Sequence, residues 1–218
     1  DGYLSPQTCA TFYAVSGLSF AYAFNRFRKN VDDKTFVQLS LGSAFSFLVM
    51  MFNFPVVGGS SAHITGIPLV TYLFGTNASI IATTVVLIIQ ALIFRDGGIL
   101  ALGVNVFNMA ISIPVSVVVM DKLLKMIKIR NEKIRVFISS YFAINVAALL
   151  TSVELGLQPL LFSQNNKPLY FMYNLKTTIP AMMIPHLLVV GIVEAAISVL
   201  LYSYVRNFMF IKRKDERR

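Results

Sequence analysis

Tryptophan is absent from this 218-residue sequence, cysteine occurs once (Cys9) and histidine only twice. A single cysteine excludes a disulfide framework and a zinc-ribbon array. Charge is scarce as well. Charged residues make up 13% of the chain, where a soluble domain carries about 25%. Apolar residues reach 56%, which excludes a disordered chain. Acidic residues are the scarcer sign, 10 against 19 Lys and Arg, so the net charge is +9. Sixteen of those 19 basic residues sit in three clumps between long apolar stretches. That is a membrane pattern and not a nucleic-acid-binding face. The sequence opens at Asp1, not at methionine, so a segment is expected ahead of it. Residues 7–27 are too long for the core of a signal peptide.

A bilayer core about 30 Å thick needs about 20 apolar helical residues. Spans are expected at 6–27, 36–54, 77–94, 99–121, 134–157 and 180–210, with a shorter apolar piece at 64–74. The basic clumps follow the first span (Arg26 to Lys34), separate two later ones (Lys122 to Arg135) and close the chain (Arg206 to Arg218). Basic loops face the cytoplasm, which puts the N-terminus outside and the C-terminus inside. The segment 55–63 and Asp96-Gly97-Gly98 then fall outside, so an even number of crossings lies between 64 and 94. A break at Gly75-Thr76-Asn77 permits two. The expected fold is an all-α polytopic membrane protein, one domain over 1–218, with seven helices and a short or irregular third crossing. A re-entrant loop at 55–75 is the alternative, allowed only where backbone lines protein or a cavity. In the outer loop 158–179, Phe162, Tyr170, Phe171 and Tyr173 read as an interfacial belt or as a lid over a cavity.

Polar residues at membrane depth are the candidate site. His63 lies in a stretch with Gly58, Gly59, Ser60, Ser61 and Gly66, where backbone can approach a ligand closely. It is either a ligand or an interfacial histidine bonded to its own loop. His186 and Glu194 are eight residues apart on the last span, about 12 Å along a helix and about 80° around it, so they cannot chelate one ion together. Glu194 is deep enough to need a partner. Glu154 sits near an outer helix end, where solvation is easy. Gln90, Asn105 and Asn108 are amides inside spans, serving as interhelical glue or as a cavity wall. No HExxH, Gly-x-Ser-x-Gly elbow or P-loop is present, so no enzyme is expected, and any ATP-driven step belongs to other chains. A Ser60 or Ser61 dyad with His186, an intramembrane hydrolase, is a residual alternative.

Several stretches resemble one family. They are Asp1-Gly-Tyr-Leu-Ser-Pro6, Gly58-Gly-Ser-Ser-Ala-His63-Ile-Thr-Gly66, Gln90-Ala-Leu-Ile-Phe94, Asp96-Gly-Gly98, Ala101-Leu-Gly103, and Asn105 with Phe107-Asn-Met-Ala110. The His186 to Glu194 spacing fits too. In this order they resemble the cobalt- and nickel-specific substrate-binding components of energy-coupling-factor transporters, the CbiM/NikM family. The resemblance implies seven helices in a cell membrane and import of Ni2+ or Co2+ as the transported substrate, with no organic cofactor. It implies a transmembrane coupling subunit and two cytoplasmic ATPase subunits as partners. It also implies a metal site made of His63 and a Met-His segment preceding Asp1, with Ser61, Asp96, Asn105, Asn108, His186 and Glu194 supporting it or lining its cavity. A vitamin-type substrate component of the same architecture is the nearest alternative.

Overall fold

The computed structural model describes residues 2–29, 31–56, 60–165 and 167–208, with side chains outside 53–61 and 207–208. Seven helices stand among them. Helix α1 is Pro6–Phe27 and α2 is Asp33–Met50. A β-hairpin follows, β1 Asn53–Val56 with β2 Ser60–His63, then the short α3, Ile67–Phe74. Next come α4 (Thr76–Phe94), α5 (Leu102–Met126), α6 (Glu132–Leu161) and α7 (Leu175–Arg206). A two-residue ladder, β3 Ser163–Gln164 with β4 Lys167–Pro168, lies between α6 and α7.

Helices α4 to α7 are long and apolar enough to cross a membrane. Local chemistry sets the boundaries. The Ser5, Asp32, Asn131 and Asn174 side chains cap α1, α2, α6 and α7 by accepting N–H groups of their first turns. Helix α2 stops at Met50, short of the expected 54. Pro55 excludes helical backbone at Phe54, and the chain enters the hairpin instead. The stretch around His63, expected as irregular backbone, is a paired ladder in which Asn53 faces His63 and Phe54 faces Ala62. Pairing supplies internally the hydrogen bonds that lipid cannot.

The expected break falls at Gly75, whose φ of 84° ends α3. The chain folds back there, and the Thr71 hydroxyl donates to the Ser79 hydroxyl at 2.9 Å. Eight helical residues cover only about 12 Å. One end of α3 is nonetheless at the basic end of the bundle. The Tyr72 hydroxyl donates to Asp121 (3.1 Å), which pairs with Arg135 (3.0 Å) and Lys125 (2.7 Å). The Tyr202 hydroxyl and Arg206 both bond Glu132 at the same end. The other end of α3 begins after Gly66, three residues beyond His63.

The core runs through this unit. Ala62, Ile67, Leu69 and Tyr72 pack with Ile113, Val117, Val136, Ala143 and Ile144 of α5 and α6. A second cluster, Leu4, Cys9, Val104, Leu155 and Phe171, closes the opposite end. Helices α4, α5 and α7 each contain a π-helical turn, at Gln90–Phe94, Val106–Ser112 and His186–Val190. The last directly follows Pro185, which has no N–H to continue an α-helical ladder.

Candidate functional site

A cavity of about 720 Å³ lies between the N-terminal segment, the hairpin and helices α4 to α7. His63, Asp96, Asn105 and His186 all line it. All three π-helical turns contribute to its wall, through Gln90, Met109 and His186. Such turns are rare and concentrate at functional sites.

His63 stands at the end of β2. Its Nδ1 is buried with no hydrogen-bond partner among the described residues, so it is not a histidine satisfied by its own loop. Asp96 and His186 lie within electrostatic reach of the ring. The loop that carries His63 is fixed from behind by Glu194. That fully buried carboxylate accepts the Thr65 N–H at 2.6 Å and the Gly66 N–H at 2.9 Å. Gly66 has φ 68°, and a Cβ there would come within 2.8 Å of the Phe45 ring. Glu194 does not line the cavity. It holds the histidine loop against α7.

The amides divide between two layers. Asn105 lines the cavity and donates to the Gly97 carbonyl at 3.3 Å, pinning the Asp96-Gly97-Gly98 loop at the rim. Asn108 is buried one layer back. Its amide donates to Glu154 at 2.6 Å and to Thr151 at 3.1 Å. Glu154 departs from its reading as a solvated helix end. It is buried, lines the cavity and keeps Oε1 without a partner among the described residues. The side chain of Ser61 lies outside the described residues. Arg95 stands exposed at the rim with φ 56°, the left-handed conformation that closes the α4 π-turn.

Some residues escaped the sequence reading. Gln158, 2% exposed, accepts the Ser5 N–H at 2.9 Å and donates to the Thr8 hydroxyl (3.3 Å) and the Glu154 carbonyl (3.1 Å). It docks the start of α1 on α6, and the preceding Gly2, Tyr3 and Leu4 enter the cavity wall. Phe171 covers them from the segment between α6 and α7, edge-on to Tyr3 at 5.5 Å and only 4% exposed. It therefore sits as a lid residue and not in an interfacial belt. Cys9 also lines the cavity. For Gln158 and Cys9 the sequence carried no signal, because their partners are remote along the chain, whereas Phe171 was one of the four aromatics of 158–179 read as a belt or a lid.

Among the described residues no three His, Cys, Asp or Glu side chains form a metal cluster. His63 and His186 are the imidazole donors of the cavity, and donors of that type suit nickel, copper, zinc and iron.

The fold and the motifs have counterparts. A crystal structure of a truncated transition metal transporter superposes with a TM-score of 0.92 at 46% identity, covering 95% of this chain and 97% of the other. A probable fused nickel transport protein of Lactiplantibacillus plantarum is 40% identical over 210 residues, 95% of this chain and 63% of that protein. A fused nickel transport protein of Rhodobacter capsulatus is 37% identical over 211 residues, 95% of this chain and 61% of that protein. The chain thus spans about three-fifths of the length of these two fused relatives. The family model described as the cobalt uptake substrate-specific transmembrane region matches residues 1–210, and the chain belongs to that CbiM family.

Proposed function

We propose that this chain is the substrate-specific membrane component of an energy-coupling-factor importer for Ni2+ or Co2+. It captures the ion in an outward-facing cavity at His63. A transmembrane coupling subunit and two cytoplasmic ATPase subunits supply the energy. The N-terminus lies outside the plasma membrane and the C-terminus in the cytoplasm. One observation carries the reading: the docked N-terminal segment and the unpartnered imidazole of His63 belong to one cavity.

One imidazole does not hold a divalent ion tightly. The remaining donors come from a Met-His segment preceding Asp1, whose amine, backbone nitrogen and imidazole would reach the cavity alongside Gly2. Asn105 and Glu194 hold the surrounding loops, and Asp96, His186 and Glu154 complete the polar wall. Nitrogen donors favour late divalent ions over magnesium and calcium. The family is one of transporters and not of enzymes, which leaves no place for an intramembrane hydrolase. The cavity volume would admit a vitamin, but its aromatic lining is limited to Tyr3 and Phe171.

Isothermal titration with NiCl2 and CoCl2 tests this. The chain preceded by the Met-His segment binds tightly, and the chain from Asp1 binds weakly or not at all. His63→Ala abolishes tight binding in the extended form. Equal tight binding with and without His63 would sink the reading.

A further inference from the structure

The second histidine of the cavity has an unused donor atom. His186 opens the π-turn of α7, is 7% exposed and lines the cavity. Its Nδ1 lies 2.7 Å from the Met182 carbonyl oxygen. A carbonyl only accepts, so Nδ1 carries the hydrogen. In the neutral imidazole Nε2 then holds the lone pair. No protein group bonds Nε2 among the described residues. A backbone carbonyl on one ring nitrogen with the other left free is how proteins orient imidazole ligands for a metal. Nε2 is not among the sealed buried atoms that lack a partner, so it opens on the cavity, where an ion can reach it.

Position adds the second argument. His186 is eleven residues into α7, about 16 Å from its outer end, close to the middle of a bilayer. Strand β2, which ends in His63, packs against the His186 turn. We propose that His186 Nε2 is a second, separate metal position in the cavity, a one-imidazole station that receives the transition-metal ion when it leaves His63. The proposal rests on the capture reading above and adds a step to it. An ion held by several nitrogen donors leaves them more readily when another nitrogen ligand stands beside its path and bonds it as they depart. His186 supplies that ligand without a change of donor type.

The chain contains two histidines, so imidazole signals assign themselves. The untagged chain from Asp1 is loaded with one equivalent of Cu2+ and examined by electron spin echo envelope modulation. That method counts imidazole ligands through the remote ring nitrogen. His63→Ala should retain a one-imidazole signal, and His63→Ala/His186→Ala sets the background without one. A folded His63→Ala protein with no imidazole modulation would overturn the proposal. In the assembled transporter, with the Met-His segment present, His186→Gln should slow Ni2+ uptake about tenfold while leaving the equilibrium Kd within about threefold, a change under 1 kcal/mol. Unchanged uptake would overturn the proposal. So would a collapse of affinity to the level of His63→Ala, because His186 would then belong to the first position. Failure of the capture reading is separate: it would appear as His63→Ala binding Ni2+ as tightly as the unaltered chain.

Discussion

Gln158 has both ends of its amide engaged, and each contact touches the start of α1 or its own helix. Gln158→Leu keeps the volume but leaves the Ser5 N–H buried without an acceptor. Such an orphan costs about 1–3 kcal/mol. The expected result is faster hydrogen exchange at residues 2–5 and weaker nickel binding by the extended chain, with the helices intact. Glu194 belongs to the same scale. Its carboxylate receives two backbone N–H groups, and hydrogen bonds to charged groups contribute about 1.5–3 kcal/mol each. Glu194→Gln keeps one acceptor and turns an amide N–H2 toward a donor. It should lower stability by about 2 kcal/mol in thermal unfolding, while retaining substantial metal binding because Glu194 is no ligand. Complete loss of binding in a folded variant would contradict that assignment.

Among the elements, α1 depends on one glycine. A Cβ on Gly103 would fall 2.6 Å from the Tyr13 backbone nitrogen, and main chain cannot step aside as a side chain can. The Ser16 hydroxyl donates to the Gly103 carbonyl at 2.7 Å, and the Tyr13 hydroxyl bonds the Ile99 carbonyl. Gly103→Ala should cost about 1–3 kcal/mol by overpacking, read as a lowered Tm and as protease sensitivity of α1. The long helices were legible in the sequence, because twenty apolar residues admit few other structures in a membrane. The break at Gly75 was legible for a related reason: a glycine-led polar tripeptide divided the apolar run. The hairpin was not. Its strands are four residues long, one contains Pro55, and their pairing depends on the surrounding helices. Of the site, His63, Asn105 and His186 were legible as polar residues in apolar or glycine-rich surroundings, and Asp96 only through the family resemblance. Gln158 and Glu154 were not legible, because each acquires its role from segments far away in the chain, and Phe171 was legible only as either a belt or a lid residue.

For the whole molecule, the two ends of the bundle differ in chemistry, and the orientation with the basic end in the cytoplasm can be tested. Asp121, Arg135, Glu132 and Arg206 gather at one end, and Gln158, Phe171 and Asp96 belong to the other. In a Cys9→Ala background, a cysteine at Asn165 should react with a membrane-impermeant maleimide from outside, and one at Asn131 only after permeabilisation. Labelling of both from one side would refute the map. The small-residue face Ala10, Ala14, Gly17 and Ala21 is exposed along α1, and nothing lies within 4 Å of a Cβ placed at Gly17. It therefore does not pack the interior of the bundle.

The short α3 has an electrical consequence. Where other helices carry some 30 Å of apolar chain, only about 12 Å of helix separates the histidine loop from the basic end. Were the cavity filled with water from the side opposite the basic end, that thin septum would bear a disproportionate share of the voltage drop. An ion at His63 would then have crossed little of the field, and most of the drop would lie ahead of it. Each elementary charge gains about 2.3 kcal/mol per 100 mV, so a divalent ion would gain up to about 4.6 kcal/mol per 100 mV on passing the septum inward. The membrane's own polarisation would thus act on the ion's onward passage and hardly on its capture.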